Sequence, residues 1–368
     1  MEFREAKWDA SEGCRKTVEP SGAAFQRSSE HNAHMAYDAN QVPDHLLIKI
    51  ERQDDPVSAV SEEDARRRAA AYPTIMWGAP VYGSAQEVDG RWRVIRLNAD
   101  SPQDARDSLA SHFRKLHSET PLTTDNAAEL AEYEKIYELL DWEPIDEMTV
   151  NGFRYRIIRA QSFIRMGPDG PEPPRPTDVD RHAPGQTKRD TSQLDGFVID
   201  PAASTGLTDG LVRMEMVSAA YPPTYSRQAH ADSRRALYTH PNVVLLPVGF
   251  TIGQYVGGSW RPKSSMTYAT PQDARDAESF SMPALPDEQA PIEEFITAYD
   301  RARAAHRPPR TDEFEVKGVR CRVTRVETFI RVGPDGPEGP RPSDPDSHLP
   351  PARLMQEEYA KGVTPDPD

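Results

Sequence analysis

Cysteine is nearly absent, with two in 368 residues, Cys14 and Cys321. That excludes a disulfide framework, and there is no Cys-x-x-Cys pair for zinc or thiol exchange. No apolar run reaches the length of a membrane span or a signal-peptide core, and no basic N-terminus leads into one. The expectation is a reduced, cytoplasmic protein with no membrane partner. Positive charge is the minority sign: 44 Lys and Arg stand against 59 Asp and Glu, a net charge of −15. A nucleic acid duplex repels such a surface, so nucleic acid is not an expected partner. GxSxG, HExxH, P-loop and Rossmann glycine patterns are all missing, and no cofactor is expected.

What the chain does have is a match to itself. Residues 145–184 return at 311–350 with a constant offset of 166, and 23 of the 40 aligned positions are identical. Upstream, Ser101-Pro-Gln-Asp-Ala-Arg-Asp107 recurs as Thr270-Pro-Gln-Asp-Ala-Arg-Asp276, and Gly90-Arg-Trp-Arg93 recurs as Gly258-Ser-Trp-Arg261. Offsets that drift so little predict two copies of one module, 44–184 and 209–350, each long enough to bury a core. Around them lie an N-terminal arm (1–43) and a Pro-rich acidic tail (351–368), both expected to be disordered, with a linker at 185–208.

Within each copy the pattern reads β-α-β-β-α-α-β-β. An opening strand is expected at 45–51 and 210–215, and a helix capped by Ser61 over 61–72, stopped by Pro73. A hairpin follows, turning at Asp89-Gly90 or Gly257-Gly258. A helix then begins with Pro at its first position, at Ser101-Pro102 or Thr270-Pro271. A further helix spans 125–140 or 291–305, and a last hairpin turns at Asn151-Gly152 or Lys317-Gly318. This predicts the α+β class: antiparallel sheets with helices on one face, ferredoxin-like in their first elements. Two such copies are expected to pack as a pseudo-dimer with a groove between them.

Three sets of residues carry candidate chemistry. Arg154, Arg156, Arg159 and Arg165 recur as Arg320, Arg322, Arg325 and Arg331. Arg154 and Arg156 alternate with Phe153, Tyr155 and Ile157, so they share one strand face and could grip an anion bidentately. The alternative is that they pair with acids in an acidic chain. Asp178, Asp180 and His182 recur as Asp344, Asp346 and His348, a spacing that could offer metal ligands from an extended segment. The alternative is a solvated tail. Trp92 and Trp260 each precede an Arg and could stack on a ligand or anchor a core. The Gly167-Pro-Asp-Gly-Pro-Glu172 run and its counterpart from Gly333 are expected to form stiff straps, each packing over its own module.

DDPVSAV (54–60), the Gly90-Arg-Trp hairpin, SPQDARDSL (101–109) and FRYRIIRAQSFIRMGPDGPEPPRPTD (153–178) together resemble a family of unknown function from actinomycetes of the Streptomyces type. The resemblance is close over 44–184 and looser over 209–350. It implies a cytoplasmic bacterial setting and supplies no activity, cofactor or site residue. The sequence therefore favours a non-enzymatic interaction or ligand-binding protein, whose partner is another protein or an anionic small molecule. The alternative is an enzyme acting on an anion held by the strand arginines in the groove.

Overall fold

The computed structural model describes residues 43–51, 56–180, 183–185, 194–264, 266–279 and 311–361, together with positions 293, 296, 297, 301 and 309. Among them, α1 (Pro56–Ala71) leads into the hairpin β1 (Thr74–Val88) and β2 (Arg91–Ala99). Next come α2 (Pro102–Glu119), α3 (Ala127–Trp142), β3 (Glu147–Val150), β4 (Phe153–Gly167) and β5 (Gly170–Pro171). The middle of the chain supplies β6 (Val198–Ile199), α4 (Leu207–Val217) and α5 (Arg227–Thr239). It continues with β7 (Asn242–Leu245), β8 (Gly249–Val256), β9 (Ser259–Pro262) and α6 (Pro271–Ser279). Last are β10 (Glu313–Val316), β11 (Val319–Gly333), β12 (Gly336–Pro337) and α7 (Pro351–Ala360).

The turn residues do what their chemistry dictates. Asn151 and Gly152 adopt φ of 50° and 81°, and Lys317 and Gly318 adopt 50° and 78°, the left-handed pair a two-residue hairpin demands. Ser101 caps α2, its hydroxyl accepting from the amide of Asp104 at 3.1 Å, with Pro102 behind it.

The strands form one antiparallel sheet in the order β6-β2-β1-β4-β11-β8-β9. Its centre is the β4–β11 pair, where Ser162 faces Thr328. These two are matching positions, 166 apart, so the two long strands meet at a common midpoint. One face carries Tyr155, Ile157, Cys321 and Val323, and helices α2, α3 and α6 bury it. Phe163, Phe329 and Val243 share a further core cluster with Met216 of α4. The other face, here called the strap face, carries Arg154, Arg156, Ile158, Ala160 and Ser162 and their counterparts on β11. The mixed helix and antiparallel-sheet class is as the sequence predicts.

Several local expectations fail. No opening strand forms: Ile50 makes a single isolated bridge to Thr205, and residues 207–217, taken to hold a strand, are helical. Leu, Met, Arg and Glu dominate that stretch and are strong helix formers, and Gly206 sits at the cap. The linker is partly built into the sheet, since Ile199 pairs with Trp92 and is buried. In the supposed disordered tail, Pro351–Ala360 is a helix begun by its proline. Most of the helix expected over 291–305, and the arm up to residue 42, lie outside the described residues. No helix among the described residues is long and apolar enough to cross a membrane.

Candidate functional site

The strand arginines are brought together in pairs and each is engaged by the chain itself. On the strap face, Arg154 and Arg156 share Glu147 and Asp335, and Arg156 also donates to the carbonyls of Asp335 (2.9 Å) and Pro337 (3.1 Å). Their counterparts Arg320 and Arg322 share Glu313, and Arg322 donates to the Pro171 carbonyl at 2.9 Å. On the helix side, Arg159 is 1% exposed and donates to Asp344 at 2.9 Å and to Tyr221 at 2.9 Å. Burial opposes its charge, but Tyr221, Asp344 and Glu338 outweigh that and hold its pKa above the ordinary value. Arg325 meets Asp178 at 3.4 Å and also donates to Glu327.

Arg165 pairs with Glu215 at 2.6 Å. Arg331 instead donates to backbone carbonyls, Met216 at 2.8 Å and Ala219 at 2.7 Å, which end α4. Burial pushes its pKa down to about 10. A guanidinium at carbonyls in this position stabilises the negative end of the helix.

The straps do not stay home. The β4–β5 turn reaches β11 and the β11–β12 turn reaches β4, each crossing to the other segment. The amide of Arg159 donates to the Glu338 carbonyl at 2.8 Å, and that of Arg325 to the Glu172 carbonyl at 2.9 Å. Further along, Asp346 accepts from the Gln103 amide at 3.1 Å and from Arg106 at 2.8 Å, capping α2. Asp180 accepts from the Gln272 amide at 2.9 Å and from Arg275, capping α6. These carboxylates satisfy orphan amides at a helix's positive end, which is why Asp is required at each place. Asp178 and Asp344 likewise accept from the backbone amides of Arg175 and Arg341 at 2.8 Å each.

The Asp-x-Asp-x-His repeat is therefore occupied by helix and arginine contacts. His348 is exposed and stands 3.9 Å from Asp104, and His182 lies outside the described residues. Among the described residues, no three His, Cys, Asp or Glu side chains converge as metal ligands.

Both tryptophans sit where a strap lands. A Cβ on Gly336 (φ 112°) would lie 2.3 Å from the indole nitrogen of Trp92, and one on Gly170 (φ 117°) the same distance from that of Trp260. Only glycine tolerates both the angle and the closeness. The guanidiniums of Arg156 and Arg322 lie over the two indoles, each at 4.9 Å. Trp92 is an anchor with no open ring face for a ligand to claim, whereas Trp260 is half-buried and borders a hollow.

That hollow, about 450 Å³, opens on the strap face across the joint between the segments. Met76, Val81, Leu97, Trp260 and Val326 give it apolar walls, and Ser162, Thr251, Thr324 and Thr328 line it with hydroxyls. Register explains the hydroxyl strip: Thr251 faces Thr324 across β8–β11, and Ser162 faces Thr328 across β4–β11. Thr324 is spoken for, its hydroxyl donating to the Arg322 carbonyl at 3.3 Å. Among the described residues the Thr251 hydroxyl has no partner, although the residue is only 7% exposed. An unsatisfied buried hydroxyl costs about 1–3 kcal/mol. The charged lining residues, Asp100 and Arg261, are exposed at the rim. A second hollow, between α1 and α4, contains the Arg165–Glu215 pair, whose charges are already matched.

Sequence reasoning missed Thr251 and Thr324. Their only signal was a departure from self-match: Ile158 aligns with Thr324, and Gly83 with Thr251. No curated protein and no solved structure matches the chain. Residues 55–347 match the model of a family of unknown function (DUF5954), and with most of its length covered the chain belongs to that family.

Proposed function

We propose that this is a non-enzymatic ligand-binding protein. Its two segments form an intramolecular pseudo-dimer, and its ligand sits in the strap-face cleft at their joint. The arginines expected to hold that ligand serve the scaffold, pinning straps and helix ends. The observation that carries this function is the cleft itself: a volume within the usual range for small-molecule sites, apolar walls, and a lining of hydroxyls. The lining supports binding more than catalysis, because among the described residues its ionisable side chains, Asp100 and Arg261, stand at the rim.

The test is a fragment library screened by ligand-observed NMR against the full chain and against Thr328→Trp. Thr328 is half-buried on the cleft floor, so a larger ring has room to enter the hollow. Fragments that bind the wild-type chain and are lost in the variant, with the melting temperature kept, would support the proposal. Fragments that bind both equally would place the site elsewhere.

A further inference from the structure

We infer that the outer edge of β9 and the cleft beside it dock an extended peptide of a partner protein. The peptide pairs antiparallel with β9 and sends apolar side chains from alternate positions into the cleft. This rests on the cleft being the ligand site and goes on to name the partner's chemistry. The molecule already holds one such docking at the matching place in the other segment. Counted outward from the β4–β11 pair, β2 and β9 carry matching sequence. β6 lies beyond β2, and among the described residues no strand lies beyond β9. β6 is a piece of the linker laid along β2, with Ile199 opposite Trp92 and Val198 opposite Arg93. The Val94 amide donates to the Phe197 carbonyl at 2.8 Å, and the Gly196 amide to the Val94 carbonyl at 2.8 Å. Bonded pairs alternate along an antiparallel ladder, so Trp92, two residues from Val94, turns its own amide and carbonyl toward Ile199.

Trp260, Arg261 and Pro262 hold the places of Trp92, Arg93 and Val94. Their pairing inward is the same: Arg261 faces Gln254 as Arg93 faces Gln86. Trp260 therefore turns its amide and carbonyl outward, and among the described residues no strand meets them. What β6 brings is also what the cleft lacks. Leu194, Phe197 and Ile199 pack with Trp92, Val94 and Leu97 in one core cluster. Residues directly opposed across a ladder share a face, so a side chain opposite Trp260 points to the strap face. There Trp260, Pro262, Leu97, Val81 and Val326 wall the cleft. Pro262 decides between a partner's peptide and the same edge of a second copy. It has no amide where Val94 has one, which leaves too few donors to zip two exposed edges together. A peptide compensates by burying apolar area in the cleft, and Ser264 and Thr267, which line it beyond Pro262, offer hydroxyls to the peptide backbone.

The probe is a synthetic peptide with blocked ends copying residues 194–200, added to the full chain isotope-labelled at its tryptophan nitrogens. The expected result is that the Trp260 backbone amide shifts and exchanges its proton more slowly, while that of Trp92 stays unchanged. Affinity should fall about tenfold when Phe197 and Ile199 of the peptide are both serine, which removes the apolar area. It should fall about tenfold again when the peptide's Ile199 nitrogen is methylated, which removes the donor to the Trp260 carbonyl. Thr328→Trp, which fills the cleft, should abolish binding. Affinity indifferent to methylation would overturn strand pairing and leave the cleft as a site for an apolar ligand. A shift at Trp92, meaning exchange with the chain's own β6, or no shift at Trp260 would overturn the inference. Fragments lost in Thr328→Trp would still uphold the cleft in either case. Slowed exchange at Trp260 that survives Thr328→Trp would remove the cleft from the docking and count against the reading on which it rests.

Discussion

Two regions of the strap face occupy matching positions and have opposite contents. Beside Trp92, the sheet is filled: Ala85, Val94, Leu97, Ile158 and Ala160 pack with Val244, Leu246, Ile330 and Val332 in one core cluster. Beside Trp260, the matching ground is the cleft. The difference begins in strand length, since β2 runs nine residues and β9 stops after four at Pro262. Over Gly83 the β2 backbone comes so close that a Cβ would lie 2.0 Å from the Arg96 carbonyl. At the matching Thr251 β9 has already ended, and the chain beyond it meets β8 through Lys263 on Ile252 and Tyr268 on Phe250. Phe197 then covers β2, its carbonyl accepting from the Val94 amide at 2.8 Å, and Ile199 packs beside it. A frame shared by both segments thus has one side given over to packing and the other left hollow. Natural cores leave few voids, so a hollow held open in a well-ordered sheet points to use.

The comparison is most severely broken by separating the segments. Each lends the other its strap, its helix cap and half of the central strand pair. Residues 43–185 alone would leave Arg159 and Arg156 without Asp344 and Asp335, and α2 without Asp346. Stranding one buried ion of a pair costs about 3–5 kcal/mol. Of the pairs named, Arg159–Asp344 is buried on both sides, and its loss alone is a large share of a domain's stability, about 5–15 kcal/mol. Neither 43–185 nor 194–361 should melt cooperatively alone, and mixing them should restore a single transition by calorimetry. A cooperative melt of either fragment by itself would show that the segments are self-sufficient.

This crossing explains what the sequence could and could not disclose. Turns, caps and strand faces are local, and Asn151-Gly152, Ser101-Pro102 and the alternation around Arg154 and Arg156 could be read directly. The strap was legible as a strap, because Pro-Asp-Gly imposes its turn. Its destination was not legible, since a self-match says that two residues are alike and not which copy each one touches. Leu207–Val217 misled because a short apolar run with Val and Met suits strand or helix until its neighbours decide. Thr251 was invisible for a plainer reason. A threonine in a strand is ordinary, and nothing local marks this one as burying its hydroxyl without a partner among the described residues.

A smaller perturbation exchanges the two regions' contents one residue at a time. Ile158 is fully buried, so Ile158→Thr loses apolar contact and buries a hydroxyl, at about 2–4 kcal/mol. Thr324→Ile adds carbon beside an existing hollow and should change stability by less than about 1 kcal/mol in either direction. Urea denaturation of both variants measures the asymmetry. Equal costs would mean that the cleft is as tightly specified as the core, and the contrast between the regions would collapse.

The smallest effect lies at the exposed acids. Arg154 and Arg156 share two carboxylates, Glu147 and Asp335, whereas among the described residues Arg320 and Arg322 share one, Glu313. The Arg156 hydrogen bond holds the Asp335 carboxyl below its usual pKa. Burial raises Glu147 and Glu313, but their arginine hydrogen bonds outweigh it, so both also end below the usual value. A carboxyl depressed in the folded state contributes stability that is complete above its unfolded pKa, near pH 4, and fades as pH falls toward the folded value. Solvent screens these partly exposed pairs, so each is worth less than about 1 kcal/mol. Asp335→Asn should therefore melt slightly below wild type at pH 7 and converge with it as the solution is acidified below pH 4. Glu313→Gln should converge in the same window, because its charge is held by the matching pair of arginines. A gap that stays constant with pH would mean that shape, and not charge, is what Asp335 contributes to the strap.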